Sequence, residues 1–275
     1  MEFRTHTPAP ALRPYVAEAH GYRVSPNPTG IHRGLPSRHL TLVVELIEPL
    51  RVGGVGGSVA AHGVVGGLHM RPALIDASRP QEGLQYGLTP YGALALLGVP
   101  AAELAGITVD LVDLFGAGAV DLVERLHDTP TWPERFRLLD TALLRRLDDS
   151  NLRLPPEVAE AWRMIFASDG RVRVAAVAGH VGCSRRYLSE RFRHATGLTP
   201  KLAARIARFE AARRSLTAAH RLPLVDIAVG CGYADQSHLS REWQEMAGCS
   251  VGTWLREEFP FVHDGSPAAR AESLT

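Results

Sequence analysis

VAAVAGHVGCSRRYLSERFRHATGLTP (174–200) returns later in the chain as LVDIAVGCGYADQSHLSREWQEMAGCSV (224–251). At an offset of 50, Val177, Ala178, Val181 and Gly182 match Ile227, Ala228, Cys231 and Gly232. One residue is then inserted. At an offset of 51, Leu188, Ser189, Phe192 and Gly197 match Leu239, Ser240, Trp243 and Gly248. Agreement in size and polarity over so many positions argues duplication of one structural unit.

The unit has a physical reading. Ala178 precedes Gly182 by four residues, as Ala228 precedes Gly232. A small residue late in one helix lets a second helix cross close above it, and the glycine tolerates the positive φ of a tight turn. Ser184 is the expected N-cap of the next helix, with Leu188 and Phe192 burying one side of it. This is helix–turn–helix logic, which leaves the second helix free for a DNA major groove. In the first copy that helix offers Arg185, Arg186, Ser189, Glu190 and Arg193. In the second it offers Gln236, Ser237, His238, Ser240 and Arg241. Arginine pairs with guanine or phosphate, glutamine with adenine, glutamate accepts from cytosine, and serine serves base or phosphate. The bland alternative is a plain helical bundle with two solvated faces. The duplicated turn weighs against it.

Charge weighs against it too. Residues 151–260 carry 16 basic and 11 acidic side chains, whereas residues 1–150 carry 13 and 16. The formal net charge of +1 therefore averages an acidic first half and a basic second half. Between the copies, residues 201–216 (KLAARIARFEAARRSL) have high helix propensity and no glycine or proline. A linker helix there would set the two units in successive major grooves, about 34 Å apart. A helix over 156–168, with Val158, Trp162, Ile165 and Phe166 apolar, completes an all-α domain.

These residues resemble the AraC/XylS family of bacterial transcription regulators. IAVGCGYADQSHLSREWQEMAG (227–248) follows that family's signature most closely, and Gly197, Pro200, Arg208 and Ala212 also match. The likeness covers about 155–256. It implies seven helices, two helix–turn–helix motifs, and partners that include double-stranded promoter DNA, RNA polymerase and a small-molecule effector. Three positions depart from the pattern: Ala203, Leu239 and Val251. They concern packing and caps.

The first 90 residues are β-rich. HLTLVVELI (39–47) is an apolar, β-branched run, and shorter ones follow at 61–65, 73–77 and 84–88, punctuated by glycine and proline. Such spacing suggests a barrel or a sandwich. VGGVGG (52–57) lacks the Lys-Ser/Thr of a phosphate loop and is expected to be a hairpin turn. From Tyr91 the pattern turns helical, with segments at 121–126 and 133–147; in the second, Thr131 is a candidate N-cap and Phe136, Leu139, Leu143 and Leu147 form one stripe. That stripe suits either core or a dimer seam. LPSRHLTLVVEL (35–46) and TPYGALALLGVPAAELAGITVDLVDLFG (89–116) resemble sensor halves of the same family, which implies a cupin-like β-barrel followed by dimerising helices and a homodimer.

The expected class is thus α+β: a β-barrel with helices in 1–150, a DNA-binding domain in 151–260 and a flexible tail in 261–275. Arg33, Arg38, His39 and Glu45 are the candidate ligand contacts. A metal-binding cupin would need an HxH pair, which is absent, and no nucleophilic triad stands out, so neither metal, cofactor nor enzyme activity is expected. The alternative is a cupin-like small-molecule enzyme fused to a DNA-binding module. Cys183, Cys231 and Cys249 show no CxxC spacing, and no run of 18 apolar residues occurs, which points to the cytoplasm.

Overall fold

The computed structural model describes residues 2–54, 56–147, 154–218 and 222–258. The domain boundary expected at 150 lies outside them, as does the whole tail at 261–275.

The first half runs β1 (Glu2–His6), β2 (Val16–Val24), β3 (Ile31–Gly34), β4 (Leu40–Glu45), β5 (Leu50–Gly53), β6 (Val59–Ala61), β7 (Gly63–Gly66), β8 (Ala73–Asp76) and β9 (Gln81–Leu88). After a helical turn α1 (Pro90–Gly92), a π-helical turn (Ala93–Leu97) and β10 (Thr108–Asp110) come α2 (Leu111–Phe115), α3 (Ala117–Asp128) and α4 (Trp132–Arg146). The strands form two antiparallel sheets, ordered β1-β2-β9-β4-β7-β10 and β3-β8-β5-β6. The expected closed barrel is therefore corrected to a pair of open sheets among the described residues. Strands β3, β5, β6 and β8 have three or four residues each, too short to curl round and join the larger sheet edge to edge.

Alternation explains the layers. In β4, Leu40, Leu42 and Val44 point to one side, in register with Leu88, Tyr86 and Leu84 of β9, and all six are buried against Leu122, Leu126, Phe136, Leu139 and Leu143 of α3 and α4. The other side of the larger sheet contributes Tyr22, Val43 and Val64, which meet Leu50, Val52 and Ala61 of the smaller. The glycine-rich segment at 52–57 joins β5 to β6, which pair antiparallel, as a hairpin turn requires.

The second half is helical: α5 (Pro156–Ala167), α6 (Val174–His180), α7 (Arg185–Thr196), α8 (Pro200–Thr217), α9 (Leu224–Gly230), α10 (Gln236–Ala247) and α11 (Val251–Glu257). Two apolar clusters share α8. Ala203, Ala204, Ile206 and Ala207 belong to one with Val177, Leu188 and Phe192, whereas Phe209, Ala211 and Ala212 belong to the other with Ile227, Leu239, Trp243 and Trp254. The first cluster continues without a break into the sheet and helices of the first half. Glu210 of α8 accepts from the Arg38 backbone N–H at 2.8 Å and from Arg38 Nε at 2.7 Å, tying the halves together.

Candidate nucleic-acid interface

The two copies wrap their turns with the same bonds. Cys183 N–H donates to Ala178 O at 3.0 Å, and Tyr233 N–H donates to Ala228 O at 2.9 Å. Gly182 and Gly232 have φ of 73° and 81°, the left-handed region that a Cβ resists. Each following helix is capped at the third amide: Ser184 Oγ accepts from Tyr187 N–H at 3.2 Å, and Asp235 Oδ1 from His238 N–H at 2.6 Å. Each ends on a left-handed glycine, Gly197 or Gly248. One residue lies between Gly182 and its cap Ser184, and two lie between Gly232 and Asp235. The insertion sits in the turn and spares both helices.

Burial leaves one side of each capped helix to solvent. On α7, Leu188 and Phe192 are fully buried, Arg185, Arg186, Glu190 and Arg193 are exposed, and Ser189 is half-buried. Arg186 Nε donates to Glu190 Oε1 at 3.3 Å along the helix. On α10, Gln236, Ser237, Ser240 and Arg241 are exposed. His238 is only half-exposed: its Nδ1 accepts from Ala234 N–H at 3.3 Å and its ring meets Tyr233 edge-on. Beneath it, buried Glu242 accepts from Arg205 Nε at 3.0 Å and lies 3.9 Å from His238 Nε2. Burial pushes the Tyr233 hydroxyl well above its ordinary range, so it stays neutral.

The position of α7 that aligns with His238 is Tyr187, and it is 48% exposed. The sequence reading passed over it because an aromatic residue in an amphipathic helix is usually core. Its place one residue before buried Leu188 was the available signal. Cys231 is buried and burial raises its thiol, which disfavours the thiolate needed for redox chemistry.

The four candidate ligand residues occupy different places. Arg33 donates from Nη1 to Glu257 and Glu258 at 2.9 and 3.1 Å, and Arg38 holds Glu210, so both grip the helical half. His39 Nδ1 is 3.7 Å from Glu18 Oε1. Glu45 is buried, accepting from Tyr22 OH at 2.9 Å and from Glu82 N–H at 2.7 Å, and burial pushes its carboxyl up to about 7. Among the described residues no cluster of His, Cys, Asp and Glu could hold a metal, and no helix is long and apolar enough to cross a membrane.

Residues 177–257 match the helix-turn-helix domain family. No curated protein matches the chain. Among solved structures, ToxT from Vibrio cholerae O395 is 12% identical, with a TM-score of 0.51 over 93% of this chain and 97% of its own. Unsaturated fatty acid bound wild-type ToxT from Vibrio cholerae strain SCE256 is 10% identical, with a TM-score of 0.52 over 92% and 97%. The C-terminal domain of AraT, a response regulator from Geobacillus stearothermophilus, is 26% identical over 38% of this chain and 88% of its own, at a TM-score of 0.36. Sheets followed by helices in this order are thus a shared fold across nearly the whole chain. With its duplicated, capped helix pairs inside the matched region, the chain is a DNA-binding transcription regulator that carries a helix-turn-helix domain at 177–257.

Proposed function

We propose that the protein recognises a specific sequence in double-stranded promoter DNA through two helix–turn–helix motifs, α6–α7 and α9–α10. The observation that carries this reading is the pair of N-capped helices, each burying one side and leaving a polar side exposed. Arg185, Arg186, Ser189, Glu190 and Arg193 would form one reading face, and Gln236, Ser237, His238, Ser240 and Arg241 the other. Arginine contacts to phosphate supply affinity, and the polar side chains supply sequence discrimination. His238, held by Ala234 and Tyr233, orients the start of α10 as well as facing DNA.

In this reading the first half, 1–150, acts as a sensor for a small-molecule effector, and the protein works as a cytoplasmic homodimer that contacts RNA polymerase. A ToxT structure bound to an unsaturated fatty acid supports an effector-controlled first half. An effector reaching Arg33 or Arg38 would compete with Glu258 and Glu210 for the guanidinium, and so loosen the two halves. A mobility-shift titration of the full chain against the DNA upstream of its own gene tests the reading. Binding that is selective over random DNA and weakens steeply with salt supports it; equal binding to both sequences overturns it.

A further inference from the structure

A groove of about 610 Å3 opens between β1 and the start of α4, on the helix-covered side of the larger sheet. Its apolar wall is Trp132, Pro133 and Phe136. Trp132 fills the space over Gly21, where a Cβ would stand 2.6 Å from the ring. The His6 ring stacks on Phe136 at 4.4 Å and 9°. It is held there by buried Asp140, 3.0 Å from His6 Nε2, which itself accepts from Tyr86 OH and Ala9 N–H at 2.8 Å each. The wall is fixed before anything binds.

The rim is cationic, and it already holds one carboxylate. Glu2 accepts from Arg4 Nε at 2.9 Å, Trp132 Nε1 at 3.3 Å and Arg23 Nη1 at 3.4 Å. Arg23 is aimed independently of Glu2, because its Nε and Nη2 grip Glu82 at 2.7 and 3.0 Å. Two guanidiniums and an indole N–H thus converge on one planar anion. Glu2 itself rides on the edge strand β1 and is about one-third exposed, so it can give way to solvent at little cost.

We propose that this groove binds a small aromatic carboxylate, and that Glu2 is the chain's own stand-in for the ligand's carboxylate. The volume falls in the range of small-molecule sites, with an apolar body and few convergent polar groups. The faces of Trp132 are covered by Gly21 and Arg135 and one face of Phe136 by His6, so their edges favour an aromatic body packed edge-to-face, and the Arg4–Arg23–Trp132 donors favour a carboxylate at its end. The proposal stands apart from the DNA-binding reading and does not depend on it.

Isothermal titration of the full chain with indole-3-acetate tests it. Saturable one-to-one binding is expected, with Arg4→Ala weakening it about tenfold, the worth of one charge-assisted hydrogen bond. Glu2→Gln is expected to tighten binding, because it removes the internal competitor, whereas a merely structural Glu2 would give the opposite sign. Indole-3-acetamide is expected not to bind. No binding heat at millimolar indole-3-acetate with either the unaltered chain or Glu2→Gln overturns the proposal. So does affinity that is unchanged in Arg4→Ala or reduced in Glu2→Gln while the variant's melting curve is unchanged.

Discussion

Nδ1 of His32 lies 2.7 Å from Oε2 of Glu258, a carboxylate without exposed surface 226 residues further along the chain. The other oxygen, Oε1, accepts from the Arg33 backbone N–H at 3.0 Å and from Arg33 Nη1 at 3.1 Å. A buried carboxylate tolerates its desolvation only while such donors remain. The end of the helical half is thereby seated on β3 of the sheet half.

Arg33→Ala leaves Glu258 buried with one main-chain donor and His32. A loss of about 3 kcal/mol in unfolding free energy is expected, as for other buried pairs stripped of one partner. Urea denaturation followed by circular dichroism measures it; a loss below about 1 kcal/mol would mean the pair behaves as a surface one.

Glu45 gives a pH dependence with a definite sign. Its folded carboxyl is pushed up to about 7 by burial, above its value in an unfolded chain near 4.5. The folded state therefore binds the extra proton between these values, and stability falls as pH rises from about 4.5 to 7. The full effect is about 3 kcal/mol. Glu45→Gln, which stays neutral, is expected to flatten that slope, so the variant gains on the unaltered protein between pH 5 and pH 8. Denaturant titrations at the two pH values provide the check.

Two glycines with similar φ separate backbone strain from docking. Gly182 has φ of 73° and open space where a Cβ would stand, whereas Gly197 has φ of 77° and Ala105 Cβ only 2.2 Å away. Gly182→Ala is expected to cost about 1 kcal/mol, the price of the left-handed backbone alone. Gly197→Ala is expected to cost about 3 kcal/mol, because α7 must also move off the sheet half. Thermal melting would show the difference as a drop of several degrees.

Arg186→Ala is expected to weaken binding to the specific operator by about 1–3 kcal/mol and to random DNA by less. Filter binding at two salt concentrations separates the cases. An equal loss on both sequences would make Arg186 a phosphate contact.

The helical half was legible because its signals are local. The Ala178–Gly182 and Ala228–Gly232 spacings, the Ser184 cap and the alternating burial of α7 each depend on residues within one turn or two. The strands around 40–45 and 81–88 were legible for the same reason, since alternation shows within a single run. The open sheets were not: closure depends on how far the short strands β3, β5, β6 and β8 reach across space. Arg33 and Arg38 read along the chain as candidate ligand contacts, and their partners Glu258 and Glu210 lie 225 and 172 residues away. Nothing along the chain couples such positions. Glu2 in its groove was missed likewise, because Trp132 is 130 residues distant.

The sharing of α8 between two cores has a mechanical consequence. Its 18 residues make a rod of about 27 Å, embedded at one end with α7 and at the other with α10. Both helix pairs therefore lean on one rod, and Arg38 grips it at Glu210, so a shift of α8 at that point would bear on both pairs.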